Sequence, residues 1–285
     1  MSQSTQLSGK RVLITGAARG IGAALATRLH ARGARVAVVG LEPETLKAVA
    51  SACGDAPWML CDVADRESVR HAVTHAVEGL GGLDVVVANA GIAAQLPLSG
   101  GDPELMERII KVNVMGVYNT IWAAGQHISH PDGYALLVSS FAAALHLPLM
   151  GAYNASKAAV EALGNTLRIE VRPYGARVGV AYFAELDTDM TRHGFDTQAA
   201  RSLPAAKMIG RARPLKLGID ALERGIARRS RRVVAPRWMA GALPFRMTVQ
   251  RVVDRVTQPG LARVLEIARE EQVSLTTAQP KEMDD

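Results

Sequence analysis

Cysteine is nearly absent: Cys53 and Cys61 are the only two in 285 residues. Their spacing fits neither a metal knuckle nor a redox pair, and nothing here makes a secreted disulfide scaffold, so both are expected to be reduced thiols. The opening "MSQSTQLSGKRVLITG" has a polar lead and only a short apolar run, unlike a secretory signal. A clean membrane span is also missing. The charge-free stretch between Asp132 and Lys157 is long enough to cross a bilayer, but Ser139, Ser140, His146, Pro148, Asn154 and Ser156 interrupt it. A buried strand, a loop and a helix start carry such a polar load better. The expected setting is therefore cytoplasmic. His71 and His75 have zinc-compatible spacing on a helix, but "HAVTH" lacks the acidic partner and no third ligand is evident, so no metal site is expected.

What is present is an ordinary globular composition, with 48% hydrophobic and 21% charged residues and a formal net charge of +6. Short apolar runs read as buried strands: Arg11 to Thr15, Arg35 to Gly40, Trp58 to Leu60, Asp84 to Asn89, Tyr134 to Ser140 and Arg177 to Phe183. Helix-length stretches alternate with them, at Ile21 to Ala31, Glu44 to Ala52, Arg66 to Gly79, Pro103 to Ser129 and Tyr153 to Arg172. Continuously hydrophobic strands separated by helices imply an α/β fold, a parallel sheet covered on both faces through right-handed crossovers. Neither a repeat nor a linker divides the chain. We expect one domain over residues 1–235, with a substrate loop at about 190–215 and a seventh strand candidate in "RRVVAP". A C-terminal extension would follow over 236–285, ending in a disordered tail from about 276.

The first strand runs into "TGAARGIG", Thr15 to Gly22, which opens directly into a helix. Gly16 suits the tight turn, Gly20 lets backbone approach a pyrophosphate, and Gly22 allows close helix packing. Ile21 lies between them, where the helix N-terminus turns its free N–H groups toward phosphate. The pattern T-G-x-x-x-G-x-G resembles that of the short-chain dehydrogenase/reductases. Their N-N-A-G motif is met by "ANAG", with Ala88 replacing the first Asn and Asn89, Ala90 and Gly91 kept. The resemblance extends from Lys10 to Met190 and implies a Rossmann-type doubly wound sheet binding a nicotinamide dinucleotide.

Tyr153 and Lys157 in "YNASK" stand one turn apart at a helix start, supplying a proton donor and a nearby cation that would lower the phenol pKa. Ser140 closes the fifth strand and can converge on them at the C-terminal sheet edge. The resemblance implies the roles. Tyr153 would be the general acid or base, Lys157 would hold the nicotinamide ribose, and Ser140 would bond the substrate oxygen. Asn113 would anchor a proton-relay water. The rival is a catalytically silent dinucleotide sensor or scaffold, against which the joint presence of these residues speaks.

For the cofactor form, Gly40 and Leu41 hold the usual discriminating places and decide nothing. Glu42 lies near the offset of a ribose-binding acid and would repel a phosphate, whereas Arg19 could meet one. NAD(H) is favoured, with NADP(H) as the alternative. Asp62 resembles the family's adenine contact, next to Val63. The wall "FAAALHLPLMGA" is apolar apart from His146 and implies a hydrophobic alcohol or ketone. Family resemblance implies a homodimer or homotetramer. The arginines of "RGIARRSRRVVAPRW" read as a solvated helix end and strand flank rather than a nucleic-acid site. The "WMAGALPFRM" that follows could cover the substrate, join subunits or touch a membrane peripherally.

The acids of "AELDTDM" remain. A calcium loop counted from Glu185 puts Met190 where a glycine is needed. We read Asp187 as a helix N-cap, Asp189 as a first-turn acid and Thr188 as the family Thr that bonds the carboxamide. Phe183 and Ala184 replace the family's Pro and Gly, so Phe183 is expected to reshape the wall near the nicotinamide.

Overall fold

The computed structural model describes residues 6–194, 197–203, 212–271, 273 and 275, with backbone only at 193 and 194. The expected tail, and part of the expected substrate loop, lie outside these residues. Seven strands form one sheet in the order β3-β2-β1-β4-β5-β6-β7. They are β1 (Arg11–Thr15), β2 (Arg35–Gly40), β3 (Trp58–Leu60), β4 (Val85–Ala88), β5 (Tyr134–Val138), β6 (Arg177–Phe183) and β7 (Arg232–Ala235). Every adjacent pair is parallel, with Thr15 beside Val39 and Val12 beside Val85. The chain is an α/β protein of the doubly wound kind. The seventh strand is the expected "RRVVAP" segment. The fourth and fifth end earlier than their apolar runs because Asn89 and Ser140 turn into loops.

Alternate strand residues feed two apolar layers. Val12, Ile14, Val36, Val38, Val85 and Val87 pack beneath α1 (Gly20–His30), α2 (Pro43–Ala52) and α9 (Leu215–Arg228). Leu13, Val39, Val86 and Leu137 meet the opposite helices, α3 (Arg66–Leu80), α4 (Pro103–Ile110), α5 (Gly116–Ala124) and α6 (Gly151–Glu170). Period-two alternation inside fully apolar strands is what a sheet buried on both faces requires. Local signals set several helix ends. Asp65 and Asp102 accept from Glu67 N–H and Glu104 N–H at the starts of α3 and α4, and Gly81 ends α3 at φ +73°.

The single helix expected over Pro103 to Ser129 is instead three pieces. A π-helical turn, Lys111–Met115, separates α4 from α5, and α5 stops at Ala124. The period of apolar residues does not distinguish a wide turn from an α-turn, and such turns concentrate at functional sites. Beyond β6 come α7 (Asp189–Gly194) and α8 (Gln198–Ser202), and beyond β7 come α10 (Arg246–Thr257) and α11 (Leu261–Glu270). Both cysteines are buried and unbridged, and burial pushes the Cys61 thiol up to about 12. No helix among the described residues is long and apolar enough to cross a membrane.

Candidate active site

Strand order reverses between β1 and β4, so the loops leaving them diverge at the C-terminal sheet edge. A cleft of about 770 Å³ opens there. Gly16 and Gly20 take φ +62° and +55°, a left-handed conformation that favours glycine. A Cβ at Gly16 would stand 2.7 Å from Ala90 Cα, and one at Gly22 would stand 2.3 Å from Gly16 O. Gly20 is open, facing only the Thr188 side chain at 3.8 Å. Asn89 clamps this loop to β1: its Nδ2 donates to Thr15 O at 2.9 Å and Gly16 O at 3.1 Å. Thr15 Oγ1 in turn accepts from Asn89 N–H and Ala90 N–H. Ala88, the departure from the family motif, is buried in β4 and takes no part in the clamp.

No side chain caps the start of α1. Its free N–H groups and the glycine cradle therefore fit a pyrophosphate. Ile21, Asp62, Val63 and Gly91 line the same cleft. Asp62 is partly committed, since Oδ1 accepts from Ala64 N–H at 2.9 Å and Oδ2 from Arg108 at 3.4 Å. Arg19 and Glu42, read as opposing cofactor signals, form an ion pair with each other.

At the other end Tyr153 occupies the first turn of α6 with Lys157 one turn on. Lys157 Nζ lies 5.5 Å from the Tyr153 ring centroid and donates to Val138 O at 3.0 Å. Ser139 Oγ donates to Lys157 O at 2.7 Å, so the end of β5 is tied to α6 twice. Ser140 Oγ donates to Phe183 O at 3.4 Å and accepts from Ala142 N–H at 3.1 Å, turning the chain beyond β5. Ser140, Tyr153 and Lys157 thus converge as expected.

Burial dominates the electrostatics of Tyr153 and Lys157. Burial raises the Tyr153 phenol, Ser140 opposes that rise, and the Glu185 carboxylate adds to it. The same burial lowers the Lys157 ammonium to about 8, because low-dielectric surroundings disfavour its charge.

Asn113 sits in the π-turn, fully buried. Its Oδ1 accepts from Ile92 N–H at 2.8 Å, and its Nδ2 donates to Ile92 O and to Ser156 Oγ, each at 2.9 Å. The side chain is thereby occupied in holding the loop after β4. A Cβ on Gly91 would come 3.2 Å from Asn113 Oδ1 and 3.3 Å from Lys157 Nζ.

The loop after β6 closes the cleft. The helix starts at Asp189, so Asp187 is not its N-cap. Asp187 instead accepts from Arg192 Nε at 2.7 Å, while Thr188 N–H donates to Thr191 Oγ1. A bend at Asp187 and Thr188 sets the start one residue later than an Asp187 cap implies. Phe183 lines the cleft and packs in the layer of Leu186 and Leu222. Sequence reading missed two contributors. Glu185 lines the cleft beside Tyr153, and Val249, Val253 and Val256 of α10 form part of its wall. Glu185 stood out only as one of three alternating acids, and the α10 valines had an apolar helical spacing without a known partner.

A cleft of this shape at a sheet switch point defines a dinucleotide-binding α/β enzyme. The short chain dehydrogenase family model matches residues 10–199. A cis-4-hydroxycyclohexanecarboxylate dehydrogenase of Sinomonas cyclohexanicum is 36% identical over 209 residues, covering 71% of this chain and 83% of that protein. A glycine betaine reductase of Emericella nidulans is 35% identical over 201 residues, 68% of this chain, although the match spans 16% of that longer protein. A solved short-chain dehydrogenase/reductase from Burkholderia phymatum, in complex with NAD, superimposes with TM-score 0.76 at 21% identity, over 87% of this chain and 96% of that one. The chain belongs to the short-chain dehydrogenase/reductase family, whose members are NAD(P)-dependent oxidoreductases of alcohol and carbonyl groups.

Proposed function

We propose that this enzyme moves hydride between NAD(H) and the carbonyl or secondary-alcohol carbon of a largely apolar small molecule. The convergence of Ser140, Tyr153 and Lys157 in the cleft that also holds the glycine loop carries the reading. Bound nicotinamide supplies or accepts the hydride. Tyr153 exchanges the proton with the substrate oxygen, and burial keeps its phenol protonated at neutral pH, ready to donate. Ser140 steadies charge on that oxygen, and Lys157 holds the ribose beside Tyr153. Gly16, Gly20, Ile21 and Gly22 would hold the pyrophosphate, Asp62 and Val63 would flank the adenine, and Asn89, Ala90 and Gly91 line the cleft between. Thr188, in the cleft lining, would bond the nicotinamide carboxamide. Asn113 positions the Gly91–Ile92 backbone. Tyr153→Phe should abolish turnover of a secondary alcohol while NADH still raises the melting temperature; retained turnover would remove Tyr153 from the mechanism.

An apolar substrate is supported by Phe141, Leu145, Leu147, Met150 and Met239 in the cleft, with α10 as its cover. Gln250 of α10 exchanges hydrogen bonds with the His146 backbone at 2.8 and 3.0 Å, which ties the extension to the substrate wall. Near this cover, Trp238, Phe245 and Met247 are 72%, 67% and 79% exposed. These side chains favour peripheral contact with a membrane from which an apolar substrate would enter. Flotation with anionic vesicles tests this, and absence of binding at low salt would refute it. A homodimer or homotetramer is supported by exposed Met115, Tyr118 and Trp122 along one face of the π-turn and α5. Light scattering reads the mass directly.

A further inference from the structure

Most acidic and amide side chains lining the cleft have a partner. Glu42 holds Arg19, Gln95 accepts from Thr197 at 2.7 Å, and Asp62 meets Arg108. Glu185 differs. Its backbone is fixed, its carbonyl accepting from Arg213 N–H at 2.8 Å, but its carboxylate makes no hydrogen bond or ion pair among the described residues. The residue is half-buried in the cleft lining, and its charge acts on Tyr153. A carboxylate so placed loses hydration without gaining a donor, a cost that a ligand donor would offset. One more cleft residue is unsatisfied in the same sense. Asn154 Oδ1, next in sequence to Tyr153, is buried without a partner, and it too is an acceptor.

We propose that Glu185 binds a hydrogen-bond-donating substituent of the substrate, a hydroxyl or ammonium within a few atoms of the reacting carbon. The substrate class is then amphipathic: an apolar body against Phe141, Leu145 and the α10 valines, with a vicinal diol or amino alcohol at the reacting end. This rests on the oxidoreductase reading above and narrows it. A site that desolvates its own acceptor penalises substrates lacking the donor more than an apolar wall penalises a missing methylene.

The test compares NAD-linked oxidation of an unbranched secondary octanol, the terminal vicinal diol and the terminal amino alcohol of the same length. The native enzyme should favour the donor-bearing pair in kcat/KM by about tenfold or more. Glu185→Leu should bring both ratios near unity, and the isosteric Glu185→Gln should lose the amino-alcohol preference while keeping part of the diol preference. Circular dichroism and thermal stabilisation by NADH certify folding, and the Gln variant decides the matter if the Leu variant misfolds. Turnover with no preference in the native enzyme, or with a preference untouched by either variant, overturns the role of Glu185 alone. No turnover of any alcohol or ketone overturns the oxidoreductase reading and this inference with it.

Discussion

The Arg19 guanidinium donates to the Glu42 carboxylate across the end of the cleft lined by the loops after β1 and β2. Both side chains are roughly a third exposed, so the pair contributes little to stability. Its effect falls on ligand choice. A ribose 2′-phosphate would have to displace Glu42 before meeting Arg19, and would face the carboxylate while doing so. Glu42→Ala frees the arginine, and the ratio of kcat/KM for NADP(H) over NAD(H) should rise by about tenfold or more, or ~1.4 kcal/mol. Initial rates with the four nucleotides measure it, and an unchanged ratio would disconnect the pair from cofactor selection.

Lys157 makes both stability and rate depend on pH. Its ammonium titrates at about 8 in the folded chain against 10.5 ordinarily, so the unfolded chain holds more protons between those values. The burial penalty is fully present below pH 8, and stability rises as pH climbs from 8 to 10.5, by at most ~3 kcal/mol. Urea titrations at several pH values should show that rise, and Lys157→Met should flatten it. Ketone reduction, which uses the charged ammonium, should decline as pH rises through about 8.

Asn113→Ala should leave Ile92 N–H and C=O buried without partners and cost about 2–3 kcal/mol. Because those groups fix the loop after β4, affinity for NADH should fall with stability. Calorimetry on the variant separates the two effects, and unchanged affinity would confine Asn113 to a structural role.

Gly91→Ala tests the crowding between Asn113 and Lys157. Its methyl would press on Asn113 Oδ1 and Lys157 Nζ at little more than 3 Å, so one of them has to shift. We expect kcat to drop by about tenfold or more with the melting temperature nearly retained, since small displacements of reacting groups are costly. Steady-state rates and a melting curve decide it.

Gly179→Ala probes the sheet far from the chemistry. The new methyl would lie 2.0 Å from Tyr134 Oη and 2.4 Å from Ser230 O, the two partners of a 2.8 Å hydrogen bond. Overpacking of this kind should cost about 2–3 kcal/mol, visible in the denaturation midpoint.

Much of the site was legible from residue order because its parts are local. Thr15 to Gly22 is one strand–turn–helix unit, and Tyr153 and Lys157 are one helical turn apart, so spacing alone puts each set together. The break in the long helix was not legible, because Lys111 to Met115 has the same apolar content in an α-turn or a π-turn. Asp187 misled for a related reason: an acid before a helix is a good cap, but an arginine placed one turn later captures it first.

The sequence by itself determined the alternation of strands and helices, the glycine cradle and the Ser140, Tyr153 and Lys157 set, since apolar period, turn chemistry and short spacing act within a few residues. Tertiary structure alone decided the pairing of Arg19 with Glu42, the rise of the Tyr153 phenol, the closure of Asn113 on Ile92 and the lone carboxylate of Glu185. Those depend on which distant groups are brought into contact and on how much water is removed around them, and neither quantity is written in neighbouring residues.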